Sequence, residues 1–123
     1  VKEIYYSGGK RIKEYLVIKD GTGFMEINKM YGKLDGPWAR WYADGKKEEE
    51  GFYKKGTKVG IWSRYAMNGV VLEEWNFDNR GRNLYEVTYY DNGTVKEYKD
   101  YFSKTVQEYN SDGSLKGDKI PFN

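Results

Sequence analysis

Aromatic and charged positions alternate along this chain in short runs that end at glycine. "WARWY" (38–42) and "WSRY" (62–65) are two such runs, and each is soon followed by Asp-Gly or Asn-Gly. Alternation with a period of two puts successive side chains on opposite faces of a strand. Trp38, Arg40 and Tyr42 therefore share one face, and Trp41 takes the other. Turn dipeptides stand at Asp20-Gly21, Asp44-Gly45, Asn68-Gly69 and Asn92-Gly93, 24 residues apart each time. Between them Gly9, Gly32, Gly56 and Gly81 mark return turns, and Asp112-Gly113 closes a shorter last unit.

This spacing leaves strands of about 6 to 8 residues between turns, a usual strand length. The pattern predicts an all-β chain: an elongated antiparallel meander of consecutive hairpins, with about ten short strands. Asp-Gly and Asn-Gly predict two-residue type I′ turns, whose central residues both need positive φ. "KKEEEGFYKK" (46–55) has helix-forming composition, but its place in the repeat and Gly51 within it argue for strand.

Registering the repeat on its turn glycines makes columns of like residues. Four residues before the glycine stand Tyr5, Val17, Trp41, Tyr65, Tyr89 and Tyr109. Eight after it stand Lys29, Tyr53, Phe77 and Tyr101; four after it stand Met25, Glu49, Glu73 and Glu97. Such ladders let each hairpin stack on the next, which a lone hairpin needs for stability. A two-residue hairpin would set Arg40 opposite Glu49, Arg64 opposite Glu73, Thr88 opposite Glu97, Trp38 opposite Gly51 and Trp62 opposite Trp75. A bulged turn would move this register by one residue.

Composition narrows the function. The 123 residues form one domain of ordinary size, spanning 1–123. Only 38% are hydrophobic and 33% are charged, but 18% are aromatic, which argues against disorder and for a thin, ring-built core. The net charge of +2 gives no strong pull toward nucleic acid. There is no cysteine and no histidine, so thiol chemistry, the usual neutral-pH general base and most zinc sites are excluded. No apolar run reaches the ~20 residues that cross a bilayer as a helix.

The sequence "YGKLDGPWARWYADGKKEEEGFYKKGTKVGIWSRYAMNG" (31–69) resembles the MORN repeat, and more closely its bacterial variant. Tyr31, Gly32, Lys33, Gly36, Trp38, Tyr42, Gly45 and Lys46 carry one copy; Tyr53, Gly56, Gly60, Trp62, Tyr65 and Gly69 carry the next. The best repeats span 31–77 and degenerate copies flank them; there Glu14 and Glu86 stand where the motif has Trp. The resemblance implies successive β-hairpins in a twisted single-layer sheet with a groove. It implies binding and scaffolding roles, a membrane-lipid link in some members, antitoxin-like relatives among bacterial variants, and no catalytic residues.

The expectation is a non-enzymatic module that binds a protein partner through an aromatic- and arginine-rich sheet face. The candidate binding residues are Trp38, Arg40, Trp41, Trp62, Arg64 and Tyr65, since aromatics and arginine are enriched at binding hot spots. The bland alternative is that the rings make the thin core and the arginines pair with Glu49 and Glu73. The open sheet edges offer self-association as a further mode. A membrane-surface or phospholipid-headgroup module is the second reading, although no polybasic cluster is present. Paired acids such as Glu73 and Glu74 read as a solvated face rather than a catalytic pair. "DNRGRN" (78–83) and "YNSDGS" (109–114) lack EF-hand spacing, so no metal and no cofactor are expected.

Overall fold

The computed structural model of the protein describes residues 2–122. The strands are β1 (Lys2–Ser7), β2 (Lys10–Asp20), β3 (Gly23–Met30), β4 (Lys33–Leu34), β5 (Gly36–Tyr42), β6 (Lys47–Lys54), β7 (Thr57–Tyr65), β8 (Val71–Phe77), β9 (Asn83–Tyr89), β10 (Val95–Asp100), β11 (Thr105–Glu108) and β12 (Ile120–Pro121). All twelve lie in one antiparallel sheet in sequence order, with the short β4 pairing to β3 beside β5. No helix occurs among the described residues. The expected all-β meander of hairpins is the fold, and "KKEEEGFYKK" runs into β6.

The turn chemistry differs from the expectation. At Asp44-Gly45 the Gly45 amide donates to the Tyr42 carbonyl and the Tyr42 amide donates to the Lys46 carbonyl. Only the glycine, at φ 89°, is left-handed. This is a type I turn closed by a glycine bulge, not a type I′ turn. The same bonds recur at Ala66–Val70, Asp78–Arg82, Tyr90–Thr94 and Asn110–Ser114. Asp and Asn suit these turns for another reason. Asp44, Asn68, Asn92 and Asp112 each accept, through Oδ1, the amide of the residue two places on. Two-residue turns with both residues left-handed do occur, but at Gly8-Gly9, Tyr31-Gly32 and Lys55-Gly56.

The longer turn would displace the register by one, and a second bulge restores it. Trp41 pairs with Lys47 and Arg40 with Glu49, leaving Glu48 as the extra residue. Leu72 and Lys96 are extra in the same way one and two periods later. Every pairing expected from the sequence is therefore present: Arg40–Glu49, Trp38–Gly51, Arg64–Glu73, Trp62–Trp75 and Thr88–Glu97.

The Gly-x-Trp element encodes a larger bulge. Between the pairs Phe52–Val59 and Glu50–Ser63, β6 has only Gly51 while β7 has Gly60, Ile61 and Trp62. Gly60 takes φ 71°, a conformation side chains resist. Where Leu84 replaces that glycine, the bulge shrinks to one extra residue. Bulges bend a strand and re-aim its side chains. Here the bend carries the Trp62 ring over Gly51, where a Cβ would stand 2.0 Å from the indole.

The core is as thin as the composition implies. Trp62 is 2% exposed and is the largest fully buried side chain. Tyr53 meets it edge-on at 5.0 Å, Trp38 lies at 5.3 Å, and its Nε1 donates to the Phe52 carbonyl. On the opposite face Ala39, Ser63 and Val87, one period apart, are buried. Tyr42 and Tyr90 tie hairpins together by donating to the Tyr65 and Tyr109 carbonyls at 2.7 Å.

Candidate functional site

Cross-strand partners share a face, so the register sorts the candidate residues. One row runs Met25–Arg40–Glu49–Arg64–Glu73–Thr88–Glu97–Glu108 across eight strands. Beside it Trp38 faces Gly51, and Trp62 faces Trp75. Trp38, Arg40, Trp62 and Arg64 thus lie on one face. Trp41 and Tyr65 lie on the other.

The first face is an aromatic floor beside an alternating charge ladder. Arg64 Nη2 donates to Glu73 Oε1 at 2.8 Å, as the sequence leads one to expect. Arg40 does not close on Glu49, which stands opposite it. Its Nε bonds Glu48 at 3.0 Å and its Nη2 reaches Asp20 at 3.2 Å and the Thr22 hydroxyl at 3.0 Å. The bulge at Glu48 supplies this partner, and Asp20 comes from the neighbouring hairpin. Hydrogen bonds from the Thr22 hydroxyl and amide, then from Arg40, pull the Asp20 carboxyl down to about 2. These ion pairs fix the arginines in the ladder.

Glu49 is left over. It receives no hydrogen bond and makes no ion pair among the described residues. Burial pushes its carboxyl up, while the Lys58 and Arg64 cations pull the other way and Glu48 and Glu73 add to the rise. It lines a cleft of about 270 Å³ with Lys58, Trp62, Trp75 and Phe77. Lys58 Nζ sits 4.5 Å from the Trp62 ring centroid, within cation–π range. Nothing in this arrangement pairs a nucleophile with a base.

The second face carries a column that the sequence reading missed. Glu26, Glu50 and Glu74 recur every 24 residues and accept from Tyr15, Tyr65 and Tyr85 hydroxyls. Burial first, then the bond to Glu74, raises the Tyr85 phenol to about 12. Trp41 stacks on Phe24 at 4.9 Å with 9° between planes, and Lys47 Nζ lies 5.8 Å from its ring. The acidic period was visible in the sequence, but only at the position one residue earlier. The tyrosine partners come from flanking strands at varied separations, which no repeat column displays.

No group of acids that could hold a metal ion occurs among the described residues. No helix there is long and apolar enough to cross a membrane. At the two flanking positions of the Trp column, Glu14 is 7% exposed and Glu86 accepts from Asn83 Nδ2 and the Tyr101 hydroxyl. Glutamate therefore ends the tryptophan column on both sides.

Residues 34–55 and 58–79 each match the family model described as MORN repeat variant. Each of these two segments holds one Gly-x-Trp element, Gly36 to Trp38 and Gly60 to Trp62. Repeats of this kind are generally binding modules. No curated protein matches the sequence. Among solved structures it is similar to the S. aureus TarM G117R mutant in complex with Fondaparinux, alpha-GlcNAc-glycerol and UDP, at 10% identity and a TM-score of 0.46. It is also similar to TarM, at 12% and 0.45, and to a GtfA/B complex bound to UDP and GlcNAc, at 7% and 0.41. The matches cover 76% of this chain for both TarM structures and 87% for GtfA/B, but only 21% and 24% of those proteins. The likeness is too loose to speak to function.

Proposed function

We propose that the chain is a non-enzymatic binding module that engages a protein partner through the face bearing Trp38, Trp62 and Trp75. The observation that carries this reading is the open cleft of Glu49, Lys58, Trp62, Trp75 and Phe77 on a sheet one layer thick. A single-layer sheet has no second sheet or helix to cover its faces, and aromatics there supply the large buried area that anchors interfaces. Within the face the roles divide. Trp62 and Trp38 build the floor, Trp75 and Phe77 line the cleft, and the paired Arg40 and Arg64 stand in the charge ladder beside it. The test is to isolate the native partner by co-purification and measure its affinity for Trp75→Ala and Trp41→Ala proteins that still fold. Loss with Trp75→Ala and retention with Trp41→Ala supports the reading; the reverse sinks it.

A second reading, a membrane-surface module, rests on the turns along one side of the sheet. Tyr31 and Phe102 are 71% and 97% exposed there, with Lys55 and Lys104 in the same set of turns. Exposed rings flanked by cations suit an anionic lipid interface. Sedimentation with phosphatidylserine vesicles that Phe102→Ser abolishes supports it; no sedimentation at low salt overturns it.

A further inference from the structure

The cleft around Glu49 contains an unusual combination. Its carboxylate is half-buried and has no donor among the described residues, and partial loss of water raises its carboxyl. Two aromatic side chains, Trp75 and Phe77, line the same cavity with Lys58, which engages the Trp62 ring, while the arginines opposite Glu49 on either side are taken, Arg64 by Glu73 and Arg40 by Glu48 and Asp20. Lys58 lies opposite Tyr53 in the register, so its exposed stem reaches in from the next row. Its ammonium takes the ring but makes no ion pair with Glu49. The interactions that an alkylammonium group favours are thus half used.

Farther along the row the charge is one-sided. Glu97 stands directly opposite Glu108, and neither carboxylate has an ion pair among the described residues. Like charges facing each other across a sheet are unfavourable. That pair lies on β10 and β11, beyond the strands of the cleft, so it extends the acidic end of the row rather than the cleft itself, where Glu49 is the one carboxylate in the lining.

We propose that this cleft receives a lysine or arginine side chain from a basic segment of the protein partner, and that Lys58 occupies it in the free protein as a tethered stand-in. The proposal rests on the reading of the tryptophan face as the binding face. An incoming cation reaches Glu49, Trp75 and Phe77 together, and Lys58 swings out to solvent. The lysine on β7 then competes with the ligand, so the module binds a basic segment more weakly than its cleft alone would.

The experiment uses isothermal titration of the whole chain with a lysine–glycine nonapeptide, the same peptide with every lysine acetylated, and maltohexaose as a neutral carbohydrate. The charged peptide is expected to bind, and acetylation or Glu49→Gln to weaken binding by about tenfold or more. Lys58→Ala is expected to tighten it by roughly threefold to tenfold. Lys58→Gln, which keeps the stem, is expected to do the same, so a packing loss in the alanine variant does not decide the result. Binding indifferent to Glu49→Gln, weakened by both Lys58 variants, absent for the charged peptide, or seen only for maltohexaose overturns the proposal. If the native partner still depends on Trp75 while Glu49→Gln changes nothing, the face reading stands and this inference alone fails.

Discussion

The Trp62 indole lies against the backbone of Gly51, so close that a Cβ at residue 51 would stand 2.0 Å from the ring. The glycine leaves room for the ring, and the bulge at Gly60 aims the ring at the glycine. Gly51→Ala must therefore push out the Trp62 ring, the one fully buried aromatic among the described residues. The expected cost is about 3 kcal/mol, a fall in Tm of roughly 10 °C for a domain of this size. Thermal denaturation followed by circular dichroism measures it. A variant as stable as the parent would mean that Trp62 does not pack here.

The turn assignment makes an opposite pair of predictions. Lys55 holds a left-handed backbone, at φ 51°, in a two-residue turn, while Asp44 does not. Lys55→Asn places Asn-Gly in a type I′ turn and is expected to raise stability by about 1 kcal/mol. Asp44→Gly removes the bond to the Lys46 amide and loosens the unfolded chain. It is expected to lower stability by about 1 kcal/mol. Urea denaturation of both variants decides between this arrangement and a type I′ turn at Asp44-Gly45, for which Asp44→Gly would be neutral.

Two carboxylates bend the pH dependence of stability in opposite directions. The Asp20 carboxyl is depressed from 3.8 to about 2, so its contribution is present above its unfolded value and lost as pH falls through about 2. Glu49 is raised above its ordinary 4.5, chiefly by burial, so its contribution is present below that value and lost as pH rises through the folded one. Asp20→Asn should flatten the acid limb of a stability–pH profile between about pH 4 and 2. Glu49→Gln should leave stability at pH 7 unchanged or higher, with any gain shrinking below about pH 4.5. A Glu49→Gln protein that is less stable at neutral pH than in acid, relative to its parent, would show that Glu49 is paired in the fold.

Much of the architecture was legible because glycine spacing dictates turn spacing. The register was legible for a subtler reason. The turn at Asp44-Gly45 is one residue longer than a type I′ loop, and the extra Glu48 in β6 cancels the shift. Arg40–Glu49 therefore pairs as expected, but by two displacements that offset each other. The side-chain partner of Arg40 was not legible, since the bulge offers Glu48 and the neighbouring hairpin offers Asp20. Alternation did separate Trp38 and Arg40 from Trp41, but Tyr65, grouped with Trp38 and Trp62 as a candidate binding residue, lies on the face of Trp41. It could not say that Trp62 is sealed into the core, because that burial follows from the bend at Gly60 and the bare backbone at Gly51. The cleft escaped sequence reading for the same reason: Glu49, Lys58 and Trp75 belong to three strands whose bulges bring them together.

On the proposal made above, the face of the sheet holding Trp38, Trp62 and Trp75 docks a basic partner segment and the face holding Trp41 does not. The four indole N–H groups report on it directly in a proton–nitrogen correlation spectrum, each assigned by single Trp→Phe substitution. Titration with the lysine–glycine nonapeptide should move the Trp75 and Trp62 signals together and leave Trp41 in place. Movement of Trp41 with Trp75 and Trp62 unmoved would put docking on the opposite face and overturn the proposal.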